Sequence, residues 1–364
     1  MKIAMIGHKQ FPSRSGGIEV VVYELATRMV KLGDKVTVYD RYEIDKKREY
    51  PKGTWKGVQI KLCPTLCNSK VNALLASITG SIKAIFSKPD VIHYHAIGPC
   101  AMIWLPHLFG IHTVATIHGL DWKRGKWGKF ASAYLKFGEK MAVKYADEII
   151  VLSEDMQDYF EKTYHRKTHL IQNGISKMKT IQPNLIKDYD LNTGNYILYL
   201  GRLVPEKKVD KLIETYNKID TDKKLVIAGE LEDTPYCRKL KELANNNPNI
   251  IFLGFVKGKM LEELYSNTYL FILPSDLEGC SISLLEALSY GILILVSDIE
   301  ENKEVIGDYA VTFKKNNDKD FKEKLELILN SNTLHYNQNQ VDYVLKKYDW
   351  DEVVEKTMEL YKKK

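Results

Sequence analysis

The 364 residues include only five cysteines, odd in number and scattered along the chain, which excludes the framework of a disulfide-stapled secreted domain. Cys63 and Cys67 form a C-x-x-x-C pair. No second Cys or His pair lies near them in sequence, so the spacing reads as buried thiols in a reducing cytoplasm and not as a four-ligand zinc site. Long hydrophobic runs are also missing. The opening apolar run stops at Gly7, shorter than the core of a secretory leader. The longest apolar stretch, from Ile97 to Ile111, contains His107 and two prolines. It falls short of the roughly 20 residues needed to span a bilayer, and a buried core helix with its connecting loop is expected there. No low-complexity tract or short-period repeat occurs, which excludes solenoids and propellers. The dinucleotide fingerprint G-x-G-x-x-G is absent as well, which argues against a nicotinamide-dependent dehydrogenase.

What is present is ordinary globular material, 45% hydrophobic and 27% charged, in a chain long enough for two domains of usual size. The net charge of +6 hides a division. Residues 1–180 hold 28 Lys/Arg against 16 Asp/Glu, whereas residues 181–364 hold 25 against 31. A basic first half suits an anionic substrate, an anionic membrane surface or nucleic acid, or is simply a solvated lysine-rich surface.

Short apolar runs alternate with helical periodicity. Strands are expected at KIAMIG, KVTVY, DVIHYH, TVATIH and EIIVL in the first half, with a helix over Ile18–Leu32 closed by Gly33. The series resumes at YILYLG, KLVIAG, NIIFLG, LFILP and LILVS. The βαβ alternation predicts two tandem α/β domains with parallel sheets. Residues 173–195, polar and broken by Pro183, form the expected linker, and Trp350–Lys363 reads as a final amphipathic helix.

In such sheets ligands collect beyond the carboxyl ends of strands, so the loops there carry the candidate chemistry. Gly16 and Gly17 precede a helix whose amides favour an anion, although a plain flexible turn explains them equally. Arg202 and Lys207 lie five apart around a turn, where both can reach one diphosphate, or are two surface cations near a helix start. Glu278 and Glu286, eight apart, could grip two hydroxyl-rich ends of one ligand, with the amides of Gly279, Cys280 and Ser281 available to a phosphate; solvated acids at a helix terminus are the alternative. His118 is the histidine best placed at a strand end. The run from Asp121 to Lys129 interleaves Trp122 and Trp127 with Lys123, Arg124, Lys126 and Lys129. It could touch an anionic membrane or acceptor. Nucleic acid is disfavoured, because no nucleic-acid motif accompanies the cluster.

These residues resemble the glycosyltransferase family 4 enzymes of the GT-B fold, in which two Rossmann-like parallel-sheet domains face each other across a cleft. The similarity runs through nearly the whole chain. Glu278 to Glu286 is similar to the family's E-x7-E element, Gly201 to Lys207 to G-R-L-x-x-E-K, Asn173 to Ile175 to the domain-joining N-G-I, and Gly16-Gly17 to the donor-contacting glycine loop. The segments IGHKQFPSRSGGIE and HGLDWKRGKW further resemble bacterial rhamnosyltransferase-like enzymes that build capsule and exopolysaccharide repeats. Two departures are plain: Cys280-Ser281-Ile282 stands where the family commonly has F-G-L, and Lys208 replaces a usual glycine.

The resemblance implies an acceptor-binding domain over 1–175, a nucleotide-sugar-binding domain over 176–346, and a helix over 347–364 crossing back to the first. It implies a retaining, metal-independent hexosyltransferase with no cofactor beyond its substrate, working at the inner face of the cell membrane. Arg202 and Lys207 would bind the diphosphate, Glu278 the donor sugar and Glu286 the ribose. Gly16, Gly17 and the amides at 279–281 would complete the phosphate cradle, His118 would lie near the reacting centre, and Phe255 and Val256 by the base. The expected donor is dTDP-rhamnose, then a UDP-hexose; the acceptor is a saccharide, lipid-linked. A non-catalytic nucleotide-sugar-binding protein or a sugar-nucleotide epimerase of the same fold is the alternative.

Overall fold

A computed structural model describes residues 1–43, 52–65, 69–123, 128–245, 247–331 and 336–363, with backbone alone at Glu43, Ser69–Val71 and Lys123. It divides into two compact units, Met1–Gly174 with Trp350–Lys364, and Ile175–Asp349.

The first unit carries β1 (Lys2–Ile6), β2 (Lys35–Glu43), β3 (Gly53–Trp55), β4 (Val58–Thr65), β5 (Val91–His95), β6 (His112–Ile117), β7 (Glu148–Val151) and β8 (His169–Leu170). They form one sheet in the order β3-β4-β2-β1-β5-β6-β7-β8. Only the β3–β4 pair is antiparallel. β5 is buried at every residue, as a parallel strand covered on both faces requires. The helix Gly17–Lys31 covers the sheet with Val21, Val22, Leu25 and Met29 buried. Each such side chain is worth roughly 1.5–3 kcal/mol relative to exposure. Its end is a Schellman motif: Asp34 N–H reaches Met29 O at 3.1 Å, Gly33 N–H reaches Val30 O at 3.0 Å, and Gly33 takes a positive φ of 94°.

The helix Trp350–Lys362 belongs to this first unit. Arg28 Nε donates to Asp351 at 2.9 Å, His112 Nε2 lies 3.0 Å from Leu360 O, and Tyr361 Oη lies 2.5 Å from His93 Nδ1. The Gly174 backbone presses so close to Trp350 that a Cβ there would stand 2.6 Å from the indole ring. That contact is the physical reason for glycine in the N-G-I element.

The second unit carries β9 (Tyr196–Leu200), β10 (Lys224–Ala228), β11 (Ile250–Gly254), β12 (Leu270–Leu273), β13 (Leu293–Ser297) and β14 (Val311–Phe313), all parallel and ordered β11-β10-β9-β12-β13-β14. Counted within the unit this is 3-2-1-4-5-6, the doubly wound order whose direction reverses between β9 and β12.

Two expectations are corrected. Ile97–Ile111 is not a single core helix: a 3-10 turn at Pro99–Met102 and a short helix at Trp104–Leu108 share it. Leu108 and Phe109 are exposed, at 68% and 65%. The segment 173–195 is more than a linker, since it contains the 3-10 turn Leu185–Tyr189, with Ile186 fully buried. The Glu263 carboxylate accepts from the backbone N–H of Asn184 and Ile186 at 2.8 and 3.2 Å and fixes that turn to the second unit.

Candidate active site

The reversal of strand order in the second unit brings together the loops after β9 and β12, which are 71 residues apart at their key positions. Lys207 Nζ and Glu278 Oε1 form a short hydrogen-bonded ion pair. Both side chains are largely buried, at 13% and 7% exposure. Backbone contacts stitch the loops together around them. Asp276 N–H donates to Glu206 O at 2.9 Å, and Lys208 Nζ lies 2.9 Å from the Asp276 carboxylate. Lys208 itself takes a left-handed conformation, φ 53°, which explains why a glycine is usual at that position.

Arg202 stands at the same loop, exposed to solvent. Its carbonyl accepts from the buried Tyr199 hydroxyl at 3.0 Å. Burial first, and then the Glu278 carboxylate, hold that phenol well above its ordinary pKa range. Gly229 lets the β9 and β10 loops meet, because a Cβ there would lie 2.2 Å from Gly201 O. A concentrated charge site therefore rests on an apolar, hydrogen-bonded base.

Gly279, Cys280 and Ser281 lead into the helix Ile282–Ser289, with Ser281 at its N-cap and Cys280 buried. Glu286 lies on that helix, 7% exposed. Burial and then its charge raise the pKa of Tyr265, whose ring stacks on Tyr290 at 5.2 Å. Phe255 and Val256 follow β11, two strands from the reversal, or ~10 Å at the usual strand spacing. They help line a cavity of about 360 Å³ with Leu185, Tyr189, Leu253 and Met260.

At the matching reversal in the first unit, between β1 and β5, histidines gather instead, and His8 after β1 lies 2.7 Å from the buried Asp40 carboxylate. The register pairs His95 with Thr116 and so puts His118 one step beyond the end of β6. His95 Nδ1 and His118 Nε2 lie 3.3 Å apart, while His93 reaches Tyr361 and Thr116 Oγ1 at 2.5 and 2.7 Å. Burial, with His118 nearby, pushes His93 down to about 3; burial and the neighbouring His93, His118 and His8 hold His95 well below the usual range. Two alternate positions on β5 thus form an uncharged hydrogen-bonded wall behind His118. His95 was missed from sequence, although the H-x-H spacing in DVIHYH places both rings on one face of a strand.

Gly16 caps the helix Gly17–Lys31 in an extended conformation. A Cβ on it would lie 2.5 Å from a Glu19 carboxylate oxygen, and Glu19 Oε1 accepts from Lys9 N–H at 3.0 Å. Gly17 is exposed. Trp122 is held from within: its indole N–H donates to the buried Glu139 carboxylate at 2.7 Å. Tyr159 and Tyr164 donate to the same carboxylate at 2.9 and 2.6 Å. The Lys123 side chain, Arg124, Lys126, Trp127 and Cys67 lie outside the described residues.

Two Rossmann-like units in tandem, the second with a paired cation and carboxylate at its topological switch point, have the architecture of GT-B glycosyltransferases. Sucrose-phosphate synthase from Thermosynechococcus elongatus superposes with a TM-score of 0.84, 18% identity and coverage of 99% of this chain and 98% of that one. The Anabaena protein HepE, solved with UDP and glucose, gives 0.79, 14%, 99% and 98%. Residues 15–177 match the Glycosyltransferase Family 4 model, and residues 182–347 match Glycosyl transferases group 1. The chain belongs to these glycosyltransferases, family 4 by its first half and group 1 by its second.

Among relatives, the glycosyltransferase YqgM of Bacillus subtilis is 27% identical over 236 residues, 61% of this chain and 64% of its own. The alpha-maltose-1-phosphate synthase of Mycolicibacterium smegmatis is 23% identical over 407 aligned positions, covering 100% and 99%. The N,N'-diacetylbacillosaminyl-diphospho-undecaprenol alpha-1,3-N-acetylgalactosaminyltransferase of Campylobacter jejuni is 26% identical over 242 residues, 61% and 62%.

Proposed function

We propose that this glycosyltransferase is a retaining enzyme that moves a hexose from a nucleoside-diphosphate sugar to a lipid-linked saccharide during cell-surface polysaccharide synthesis, at the cytoplasmic face of the membrane. The observation that carries the reading is the Lys207–Glu278 pair beside Arg202 at the switch point of the group 1 half. In this reading Lys207 and Arg202 bind the diphosphate, Glu278 a hydroxyl of the sugar, Glu286 the ribose, and the 279–281 amides a phosphate oxygen. Phe255 and Val256 flank the base. The undecaprenol-diphosphate acceptor in the name of the Campylobacter relative supports a lipid-linked acceptor here.

The chemistry asked of these residues is electrostatic. The acceptor hydroxyl oxygen bonds to the anomeric carbon on the face from which the diphosphate departs. The carbon–oxygen bond to phosphate breaks with its electron pair, and the hydroxyl proton passes to the leaving phosphate. No step calls on a metal. Preorganised cations stabilise the charge that grows on the leaving group, a contribution typically worth 10²–10³ in rate per donor. dTDP-rhamnose is the first donor to try, UDP-hexoses the next. A thermal-shift series across nucleoside diphosphates and their sugars tests the reading, since a ligand at 100 times its Kd stabilises the native state by about 2.7 kcal/mol. A raised melting temperature with one family of donors, lost in Arg202→Ala, is expected; no shift with any of them overturns it.

A further inference from the structure

The hydrogen bonds and close contacts at the end of β5 converge on one ring. His93 has both ring nitrogens engaged, Nδ1 with Tyr361 Oη at 2.5 Å and Nε2 with Thr116 Oγ1 at 2.7 Å. His95 packs on it at 4.1 Å between ring centroids, and both residues are 0% exposed. Gly7 brings the end of β1 against the same position, where a Cβ would stand 2.0 Å from His95 O. Ala96, next in the chain, takes a φ of 75°, uncommon for a residue with a Cβ, and its N–H is tied to Thr116 O at 2.9 Å. His95 is thus held on every side but one, and there its Nδ1 faces Nε2 of the half-buried His118 at 3.3 Å.

Which nitrogen of each ring carries the proton follows from the partners. Burial and the neighbouring His93, His118 and His8 hold His95 well below the usual histidine range, so its ring has one proton to place. Its Nε2 is buried and has no hydrogen-bond partner among the described residues. His8 does not supply one: its Nε2 meets Asp40 at 2.7 Å, and its Nδ1 is equally without a partner. A proton on His95 Nε2 would therefore be an orphaned buried N–H. Among backbone groups orphaned donors are rarer than under-used acceptors, and the same preference applies to a ring nitrogen. The proton belongs on Nδ1, where His118 Nε2 receives it.

We infer that His95 is a positioning residue for glycosyl transfer: its Nδ1–H donates to His118 Nε2 and thereby fixes the His118 proton on Nδ1. His118 then meets a substrate oxygen as a hydrogen-bond donor. Its lone pair is already taken by His95, so it does not accept the proton of the attacking hydroxyl as a general base. That division agrees with the proton passing to the leaving phosphate. The inference rests on the transfer reading above for the substrate, and on the two rings alone for the tautomer.

Nitrogen NMR of the imidazole rings in the full chain tests it, with signals assigned by their loss in H118A and H95N. The expected pattern is a bare Nε2 and a protonated Nδ1 on both His118 and His95. Transfer assays on two amide variants give a second readout. The side-chain amide of Asn takes the place of His95 Nδ1–H, so H95N should lose no more than about threefold in kcat. Gln sets its amide at the Nε2 position instead, and H95Q should lose on the order of tenfold, the worth of one hydrogen bond. Because His95 acts through His118, H95Q/H118A should be no slower than H118A. A proton on His118 Nε2, equal losses in H95N and H95Q, or losses that add in the double variant overturns the inference. Should the amide variants fail to fold, the wild-type ring signals, assigned through H118A, decide it. The expected tautomers with no transfer from any donor would sink the transfer reading alone; transfer with the proton on His118 Nε2 would sink this inference alone.

Discussion

The two units share a strand order around their switch points and differ in what they place there. In the second unit the loops after β9 and β12 meet through Lys207 and Glu278, charges held at 13% and 7% exposure. In the first, the corresponding position is backed by His93 and His95, both fully buried and both with pKa values pushed down by burial. One topology therefore supports two site chemistries, a lysine–glutamate pair in the second unit and, in the first, a histidine cluster beside a buried His8–Asp40 contact. A charged site must be balanced pair by pair, because an uncompensated buried ion costs several kcal/mol. Uncharged buried rings such as His93 and His95 need only hydrogen-bond partners, which Tyr361, Thr116 and His118 supply.

The sharpest way to break this comparison is to remove one group from each side. Arg202→Ala should lower turnover 10²–10³-fold while shifting stability by no more than about 0.5 kcal/mol, as an exposed side chain should. His118→Ala should cost on the order of tenfold, the worth of one hydrogen bond. Steady-state transfer assays on both variants check it; equal losses would erase the distinction between the two switch points.

A second test concerns stability against pH. His93 and His95 have folded pKa values below the unfolded value of about 6.5, so the unfolded chain binds more protons in acid. Stability is then fully present above pH 6.5 and is lost as the pH falls, by up to about 1.4 kcal/mol per pH unit for each histidine, over a window that for His93 reaches down to about 3. Urea midpoints from pH 8 to 4.5 should fall accordingly, and His95→Gln should flatten the slope by about one proton. A midpoint unchanged below pH 6.5 contradicts the neutral assignment.

The smallest effect is at Lys208. Lys208→Gly relieves the left-handed conformation, a gain of roughly 1 kcal/mol, and loses the half-exposed pairing with Asp276, worth about 0–1 kcal/mol. The net change in unfolding free energy from urea titration should be within about 1 kcal/mol. A larger loss would mean that the Lys208–Asp276 contact holds the charged loop in shape.

Much of the fold was legible because buried parallel strands write themselves as short apolar runs. β1, β5, β6, β9, β10, β12 and β13 all stand where such runs do. β4 escaped notice, since its burial pattern slips out of alternation between Ile60 and Cys63 and a proline, Pro64, stands within it. β3 and β14 are three residues each, too short for periodicity to register. Among site residues, the loops bearing Arg202, Lys207, Glu278 and Glu286 were marked by type and spacing. The partners that orient them were not: the Lys207–Glu278 pair, Tyr199 behind Arg202 and Glu139 beneath Trp122 join residues far apart in sequence or turned inward.

Local sequence determined the long buried strands, the helix after β1 and the loops that stand at their ends, because periodicity and glycine placement act over a few residues. Tertiary structure alone decided which loops become neighbours, which charges neutralise each other and which aromatics face out, because strand order sets those distances. Phe130 and Leu135 illustrate the difference. Both are apolar residues of one helix, and only the packing around them leaves the first at 88% exposure and the second at 8%.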